Sequence, residues 1–85
     1  RDEFFLLLQA AIDLLPMNCR EIYLMSREEQ LTYKEIAQIR NVSVKTVENQ
    51  MGIALKKIRE YILSHTKDIT MLTLALQQFI EDVSK

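Results

Sequence analysis

The sequence has almost none of the residues on which tight turns, disulfides and structural metal sites depend. Its 85 residues include one Gly, one Pro, one Cys and one His. One Gly and one Pro are too few for the turns of a β-sandwich or barrel, or for a glycine-rich phosphate loop. A single Cys excludes an internal disulfide, and one Cys with one His cannot provide the four ligands of a structural zinc site.

Long hydrophobic runs are missing as well. The longest one, residues 4–8, is much shorter than the ~20 residues that span a membrane. It also lacks the basic flank and the cleavage site of a signal peptide. We therefore expect no membrane insertion and a cytoplasmic location. Because the first residue is Arg1 rather than Met, we expect the chain to be a piece of a longer protein.

Neither sign of charge dominates the chain as a whole. Eleven basic and twelve acidic residues give a net charge of −1, so the field of the whole molecule does not favour nucleic acid. The charges are unevenly distributed, however, with −2 over residues 1–40, +2 over residues 41–63 and −1 over residues 64–85. The chain therefore has a basic segment between two acidic ones, so the low net charge does not exclude nucleic acid, and any such binding by this piece alone is expected to be weak and salt-sensitive.

The sequence does contain apolar residues at the three- and four-residue steps of α-helices. They predict a helix that ends at Pro16, then helices over about Met17–Glu29, Tyr33–Arg40 and Val44–Leu63, and a last helix after a hinge at residues 64–68. A broad apolar face is expected on the first helix, from Phe4 to Leu15. The pattern predicts an all-α fold, a small helical bundle with an additional C-terminal helix.

The boundaries of the middle helices have recognisable capping residues. Thr32 and Glu35 have the spacing of a capping box, in which a hydroxyl and a carboxylate three residues apart bond each other's backbone amides. Asn41 can adopt the left-handed conformation of a turn, and Ser43 is a good N-cap. In the helix before them, we expect a buried face made of Cys19, Ile22, Tyr23 and Ser26.

A short helix, a three-residue turn and a longer helix over about residues 32–63 have the features of a helix-turn-helix. Ala37 is the small residue needed where the two helices cross. The expected packing positions around the turn are Ile36, Ile39, Val42, Val44 and Val47. The outer side of the second helix carries Lys45, Thr46, Asn49 and Lys56, which suits entry into the major groove. The alternative is a plain corner between two helices, and we favour DNA binding.

Three motifs in this region carry a resemblance to a known family. They are Leu15-Pro16-x-x-Cys19-Arg20-Glu21-Ile22-Tyr23, Leu31-Thr32-Tyr33-Lys34-Glu35-Ile36-Ala37 and Val42-Ser43-Val44-Lys45-Thr46-Val47-Glu48-Asn49-Gln50. In this order they resemble region 4 of extracytoplasmic-function (ECF) sigma factors, over about residues 11–61. The resemblance implies a winged-helix-like, sigma region 4 type of domain over residues 1–65. Residues 66–85 lie outside the matched region, and they carry a narrow apolar stripe made of Ile69, Leu72, Leu76, Phe79, Ile80 and Val83. This stripe predicts an appended amphipathic helix that packs on the domain or on a partner.

The resemblance also implies a function and a set of contacts. The long helix would recognise the −35 promoter element and direct RNA polymerase to initiate transcription. The domain would dock on the flap of the polymerase β subunit and be bound by an anti-sigma factor. Carried over by position, the candidates for base contacts are Lys45, Thr46, Glu48, Asn49, Gln50 and Ile53. Their chemistry agrees for the most part, since Asn and Gln bond adenine edges and Lys suits guanine or phosphate.

Phosphate contacts are expected at two further places. Thr32, Tyr33 and Lys34 lie at a predicted helix N-terminus, where free amides favour anions. Lys56 and Arg59 lie further along the long helix, whereas Lys57 is better explained as part of a solvated face. Two residues depart from the family pattern. Arg40 replaces an apolar residue before the turn, so either its stem packs or the helix ends early. Ile53 lies on the polar face of the long helix, where it contacts either a thymine methyl or a protein.

Other functions remain as alternatives. The motifs Leu31–Ala37 and Lys45–Asn49 also approximate the DNA-binding output domain of LuxR-type response regulators. The helices could instead form a protein-interaction module for an anti-sigma factor or the polymerase flap. A homodimer through the N- and C-terminal helices is a further expectation. No catalytic group, cofactor site or metal site is indicated, so we expect no enzymatic activity.

Overall fold

The computed structural model describes residues 2–70, 72–74 and 77 of the chain, and these residues form an all-α fold. The helices are α1 (Asp2–Asp13), α2 (Met17–Arg27), α3 (Tyr33–Arg40) and α4 (Val44–His65). Residues 69–70, 72–74 and 77 are helical too, and no strand occurs in these described parts. The predicted all-α helix-turn-helix fold is confirmed.

Helix α1 ends at Asp13, three residues before Pro16, and the ends of α2, α3 and α4 agree with the sequence prediction to within two residues. Pro16 is the N-cap of α2, and its carbonyl accepts from the Arg20 amide at 2.8 Å. Helix α2 ends at Arg27 instead of Glu29, and the chain turns at Gln30, whose φ of 56° is left-handed. A Gln gives no sequence signal for this conformation, which Gly and Asn adopt most readily. Helix α4 extends two residues beyond Leu63, to His65.

The chain forms two compact units. We call residues 15–54 the helix-turn-helix unit, and residues 1–14 with residues 55–85 the terminal unit. The helix-turn-helix unit holds α2, α3 and the first half of α4. Its buried side chains, each at most 6% exposed, are Leu15, Cys19, Ile22, Tyr23, Ser26, Ile36, Ala37, Val47, Met51 and Ala54. They include all four residues expected on the inner face of α2, and that prediction is confirmed.

The terminal unit has a smaller set of buried residues. These are Ala11 and Ile12 of α1, and Ile58 and Ile62 of α4. Leu14, expected on the buried face, is 70% exposed because α1 ends at Asp13 and Leu14 lies in the following turn. The broad apolar face predicted for α1 is therefore buried only in part.

Helix α4 ends in a locally bonded cap. The ring of His65 stacks on Tyr61, with centroids 3.8 Å apart, and its Nδ1 lies 2.8 Å from the Tyr61 carbonyl oxygen. After the break at residues 66–68, the Asp68 carboxylate accepts from the Thr70 amide at 2.8 Å. The predicted hinge therefore begins two residues later than expected and carries a capping residue.

The expected stripe on the last helix is described only in part. Ile69 is 78% exposed and Leu72 is half-buried, while Leu76, Phe79, Ile80 and Val83 lie outside the described residues. The domain boundary at residue 65 and the packing of residues 66–85 stay predictions. Among the helices of the described chain, none combines the length and the hydropathy of a membrane span.

Candidate nucleic-acid interface

The N-terminus of α3 is closed by the predicted capping box. The Thr32 hydroxyl accepts from the Glu35 amide at 3.1 Å, and the Thr32 amide donates to the Glu35 carboxylate at 2.8 Å. This arrangement confirms the box, and it places a negative charge at the helix end that we had assigned to phosphate. Of the three residues proposed there, Lys34 is exposed and Tyr33 is half-buried. A phosphate at this end would be bound by the Lys34 ammonium, although the nearby Glu35 carboxylate would repel it.

The turn between α3 and α4 is held by hydrogen bonds on both sides. Asn41 is left-handed, with φ 57° and ψ 48°, and the Val42 amide bonds the Ala37 carbonyl at 3.0 Å. This is the Schellman pattern of a helix C-terminus. The Ser43 hydroxyl then accepts from the Thr46 amide at 3.0 Å, which caps α4. Both turn predictions are confirmed, and the direction in which α4 leaves α3 is set by these bonds.

Three of the five apolar residues expected to pack around the turn are exposed instead. Ile36 and Val47 are fully buried, but Ile39 is 62%, Val42 39% and Val44 41% exposed. At ~100° per residue, Ile39 points ~110° away from the direction midway between Ile36 and Ala37. Val42 lies in the turn, and Val44 is the first residue of α4. Periodicity placed Ile36 and Val47 correctly, whereas Ile39, Val42 and Val44 form an apolar rim around the turn.

Arg40 resolves the first departure from the family pattern. Helix α3 continues to Arg40 as predicted, so of the two alternatives for this residue the early end of the helix is wrong. The residue lies four positions after Ile36, on the same face, and its side chain is 29% exposed. The guanidinium reaches α2, where it donates to Glu21 Oε1 at 2.8 Å and to Asn18 Oδ1 at 2.6 Å. Arg40 therefore links α2 and α3 within the helix-turn-helix unit.

The outward face of α4 begins with the predicted base-contact residues. Lys45 and Asn49 are exposed and lie one helical turn apart. Glu48 is exposed too, and its carboxylate lies 3.9 Å from the Lys45 ammonium, a loose pair that costs little to separate. These three polar side chains project from the fold, and Lys45 and Asn49 are the residue types that bond guanine and adenine edges.

The other three base-contact candidates lie at the edges of this face. Thr46 is half-buried, and its hydroxyl lies 3.0 Å from the Ser43 hydroxyl, so it takes part in the cap. Gln50 is half-buried, and its carbonyl accepts from the Cys19 thiol at 3.4 Å. Ile53 is 42% exposed. The structure thus brings Lys45, Glu48 and Asn49 together, and leaves Thr46, Gln50 and Ile53 beside them.

Basic side chains continue along α4 beyond this group. Lys56, Lys57 and Arg59 are all exposed. Lys56 follows Asn49 by seven residues, two turns along the helix, so the two share one side. Gly52 lies between them and is not among the residues selected from the sequence, although a lone Gly inside a predicted helix is unusual enough to mark the position.

Comparison with known proteins connects this geometry to a family. The family model described as sigma-70, region 4 matches residues 5–58, which is more than half of the chain. No curated protein and no solved structure shows significant similarity to the chain. The region 4 domain is a DNA-binding domain that recognises the −35 promoter element and binds the polymerase flap, and it is not a catalytic one. The matched range covers α2, α3, the turn and the first part of α4, so this chain belongs to the sigma-70 region 4 family.

Proposed function

We propose that the chain is the region 4 domain of an ECF-type sigma factor, and that α4 recognises the −35 element through its outward face. The observation that carries this proposal is that α4 buries one set of side chains and exposes another. Val47 and Met51 are buried. Lys45, which precedes them, and Asn49, which lies between them in the sequence, are exposed and have no role in packing. Polar side chains that the fold does not need, on a helix held by a capped turn, are available to contact bases.

Individual roles follow from the side chains. Asn49 is neutral and exposed, and it is placed to make a bidentate bond to adenine. Lys45 would bond guanine or phosphate, and Glu48 would accept from cytosine once its loose pairing with Lys45 is broken. Lys34, Lys56 and Arg59 would contact phosphates, and Ile53 a thymine methyl. Thr46, Gln50, Thr32 and Tyr33 are proposed as secondary contacts, since each is half-buried or engaged in a cap.

The test is DNA binding against salt concentration, with a duplex selected from a random pool by the full chain. Asn49→Ala should cost ~1–3 kcal/mol on the selected duplex and relax the base preference at one position. Lys56→Ala should weaken all duplexes alike and lower the slope of log K against log salt by about one. Lys57→Ala is the matched control, and it should have a smaller effect on both quantities. Specific affinity unchanged by Asn49→Ala and by Lys56→Ala would contradict the proposal.

A protein-interaction role is a second candidate. The net charge of −1 and the apolar rim of Ile39, Val42 and Val44 favour a protein partner, either the polymerase flap or an anti-sigma factor. Replacing Ile39 and Val42 by Ser should then weaken binding to the partner and leave the affinity for naked DNA unchanged. The family match favours a sigma factor over a LuxR-type response regulator.

We propose that the terminal helices mediate self-association of the chain. Phe5 and Leu6 of α1 are 59% and 65% exposed, and a second copy would bury them together with the apolar stripe predicted for residues 66–85. Deleting residues 66–85 should lower the melting temperature or change the association state, which scanning calorimetry and sedimentation measure. An unchanged melting curve together with an unchanged number of chains per particle would exclude this role.

A further inference from the structure

Gly52 is the only glycine in the chain, and it occupies an interior position of its longest described helix. It lies eight residues after Val44, in a helix of 22 residues. Apart from Pro, Gly is the residue least compatible with a helix interior, because it loses the most conformational freedom there. A sequence with so few glycines places its one glycine where it weakens the fold.

Nothing inside the fold accounts for a glycine at this position. Its backbone is not in the left-handed region, so an L-residue would adopt the same conformation without strain. Apart from its two chain neighbours and the adjacent backbone of α4 itself, a Cβ built on Gly52 would meet no atom of the fold within 4 Å. Alanine would therefore fit, and it would stabilise α4. The empty space next to Gly52 lies outside the fold.

The position of Gly52 on α4 indicates what occupies this space. It follows Lys45 by seven residues and Asn49 by three, and it precedes Lys56 by four. At ~100° per residue, its Cα points within ~20° of Lys45. Gly52 is therefore the gap in the middle of the row of side chains proposed to contact DNA. Around the gap lie two ammonium groups, of Lys45 and Lys56, and one carboxylate, of Glu48, which is loosely paired with Lys45. The surroundings are therefore basic on balance, and a phosphate-bearing surface suits the gap.

We propose that Gly52 is a contact position, at which the backbone of α4 lies directly against the wall of the DNA groove. This inference rests on the proposed function. A Cβ projects about 1.5 Å from Cα, so a side chain here would hold the helix away from the duplex. The Asn49 amide would then be moved beyond the distance at which it bonds a base edge, since hydrogen bonds weaken steeply with separation. Gly52 thus determines how deeply α4 enters the groove.

The variants Gly52→Ala and Gly52→Leu test the inference, because fold stability and DNA binding should change in opposite directions. Gly52→Ala should raise the melting temperature by about 3–8 °C. The same change should weaken binding to the selected duplex about tenfold, and Gly52→Leu should weaken it further. Since neither variant alters charge, the salt slope should stay that of the unmodified chain, in contrast to Lys56→Ala.

Gln9→Leu is the matched control. Gln9 is an exposed, uncharged residue of α1, so the change places the same leucine side chain on an exposed position of another helix without altering charge. Its affinity for the duplex should equal that of the unmodified chain.

The outcomes separate this inference from the function on which it rests. If the unmodified chain selects no duplex, alone or with the polymerase core, the proposed function fails and the inference with it. If it selects one and Gly52→Leu binds that duplex equally well, only the inference is overturned. A lower melting temperature for Gly52→Ala would overturn it as well. So would a Gly52→Leu variant that keeps DNA binding and loses the polymerase core, since the gap would then fit a protein.

Discussion

The two faces of α4 have opposite relations to the fold. On the inward face, Val47, Met51 and Ala54 are at most 2% exposed and provide the core of the helix-turn-helix unit. On the outward face, Lys45 and Asn49 are exposed, and Gly52 has open space in front of it. The inward residues are constrained by packing, whereas the proposed function would constrain the outward residues through DNA binding. Stability and recognition should therefore be separable by substitutions a residue or two apart.

The largest difference in stability is expected between a substitution on the inward face of α4 and one on its outward face. Met51→Ala removes a side chain that is 2% exposed, which should lower the free energy of unfolding by ~2–4 kcal/mol. Ile53→Ala, two residues away and 42% exposed, should cost ~1 kcal/mol or less. Urea unfolding followed by circular dichroism measures both. Equal losses for the two variants would mean that the faces are not distinct.

A smaller effect is expected at the turn that determines which face of α4 points outward. Asn41 has a φ of 57°, where a residue with a Cβ and no local polar group loses ~1–2 kcal/mol. Asn41→Ala should therefore lower stability by about 1 kcal/mol, and Asn41→Gly should have little effect or raise it slightly. Thermal unfolding of the two variants provides the comparison. Similar melting temperatures would show that the turn tolerates another conformation.

The smallest effect is expected at the ion pair behind the turn. Arg40 and Glu21 are bonded at 2.8 Å, but their side chains are 29% and 47% exposed, so their coupling should be about 0.5–1 kcal/mol. A double-mutant cycle with Arg40→Ala and Glu21→Ala isolates this coupling from the loss of stem packing. A coupling near zero would leave the link between α2 and α3 to the Asn18 bond and the apolar contacts.

Capping chemistry explains why much of the fold was predictable. Thr32 with Glu35, and Asn41 with Ser43, are local signals whose hydrogen bonds form within a few residues, and the structure contains all of them. The buried face of α2 was predictable for a related reason, because helical periodicity depends only on spacing along the chain. The left-handed Gln30 carried no such signal, and the end of α2 was placed two residues late.

The sequence indicated which residue types form the candidate site, but it was less successful in indicating which of them are exposed. Lys45, Glu48 and Asn49 are exposed as expected. Thr46 and Gln50 are both half-buried, and the Thr46 hydroxyl lies within hydrogen-bond distance of the cap residue Ser43. Sequence reasoning also assigned Ile39 and Val42 to the core, since it treats an apolar residue near a turn as a packing residue. Their exposure depends on the angle at which each helix presents its side chains.

By itself, the sequence determined the helices, their caps and the family, because each of these depends on residues close together in the chain. Tertiary structure decided which side chains of those helices remain exposed. Arg40 is an example: its position suggested a disrupted packing face, and only its distance to Glu21 and Asn18 of α2 shows a link between two helices. Exposure is a property of neighbours distant in sequence. For that reason the apolar rim at Ile39 and the open space at Gly52 became visible only in the folded chain.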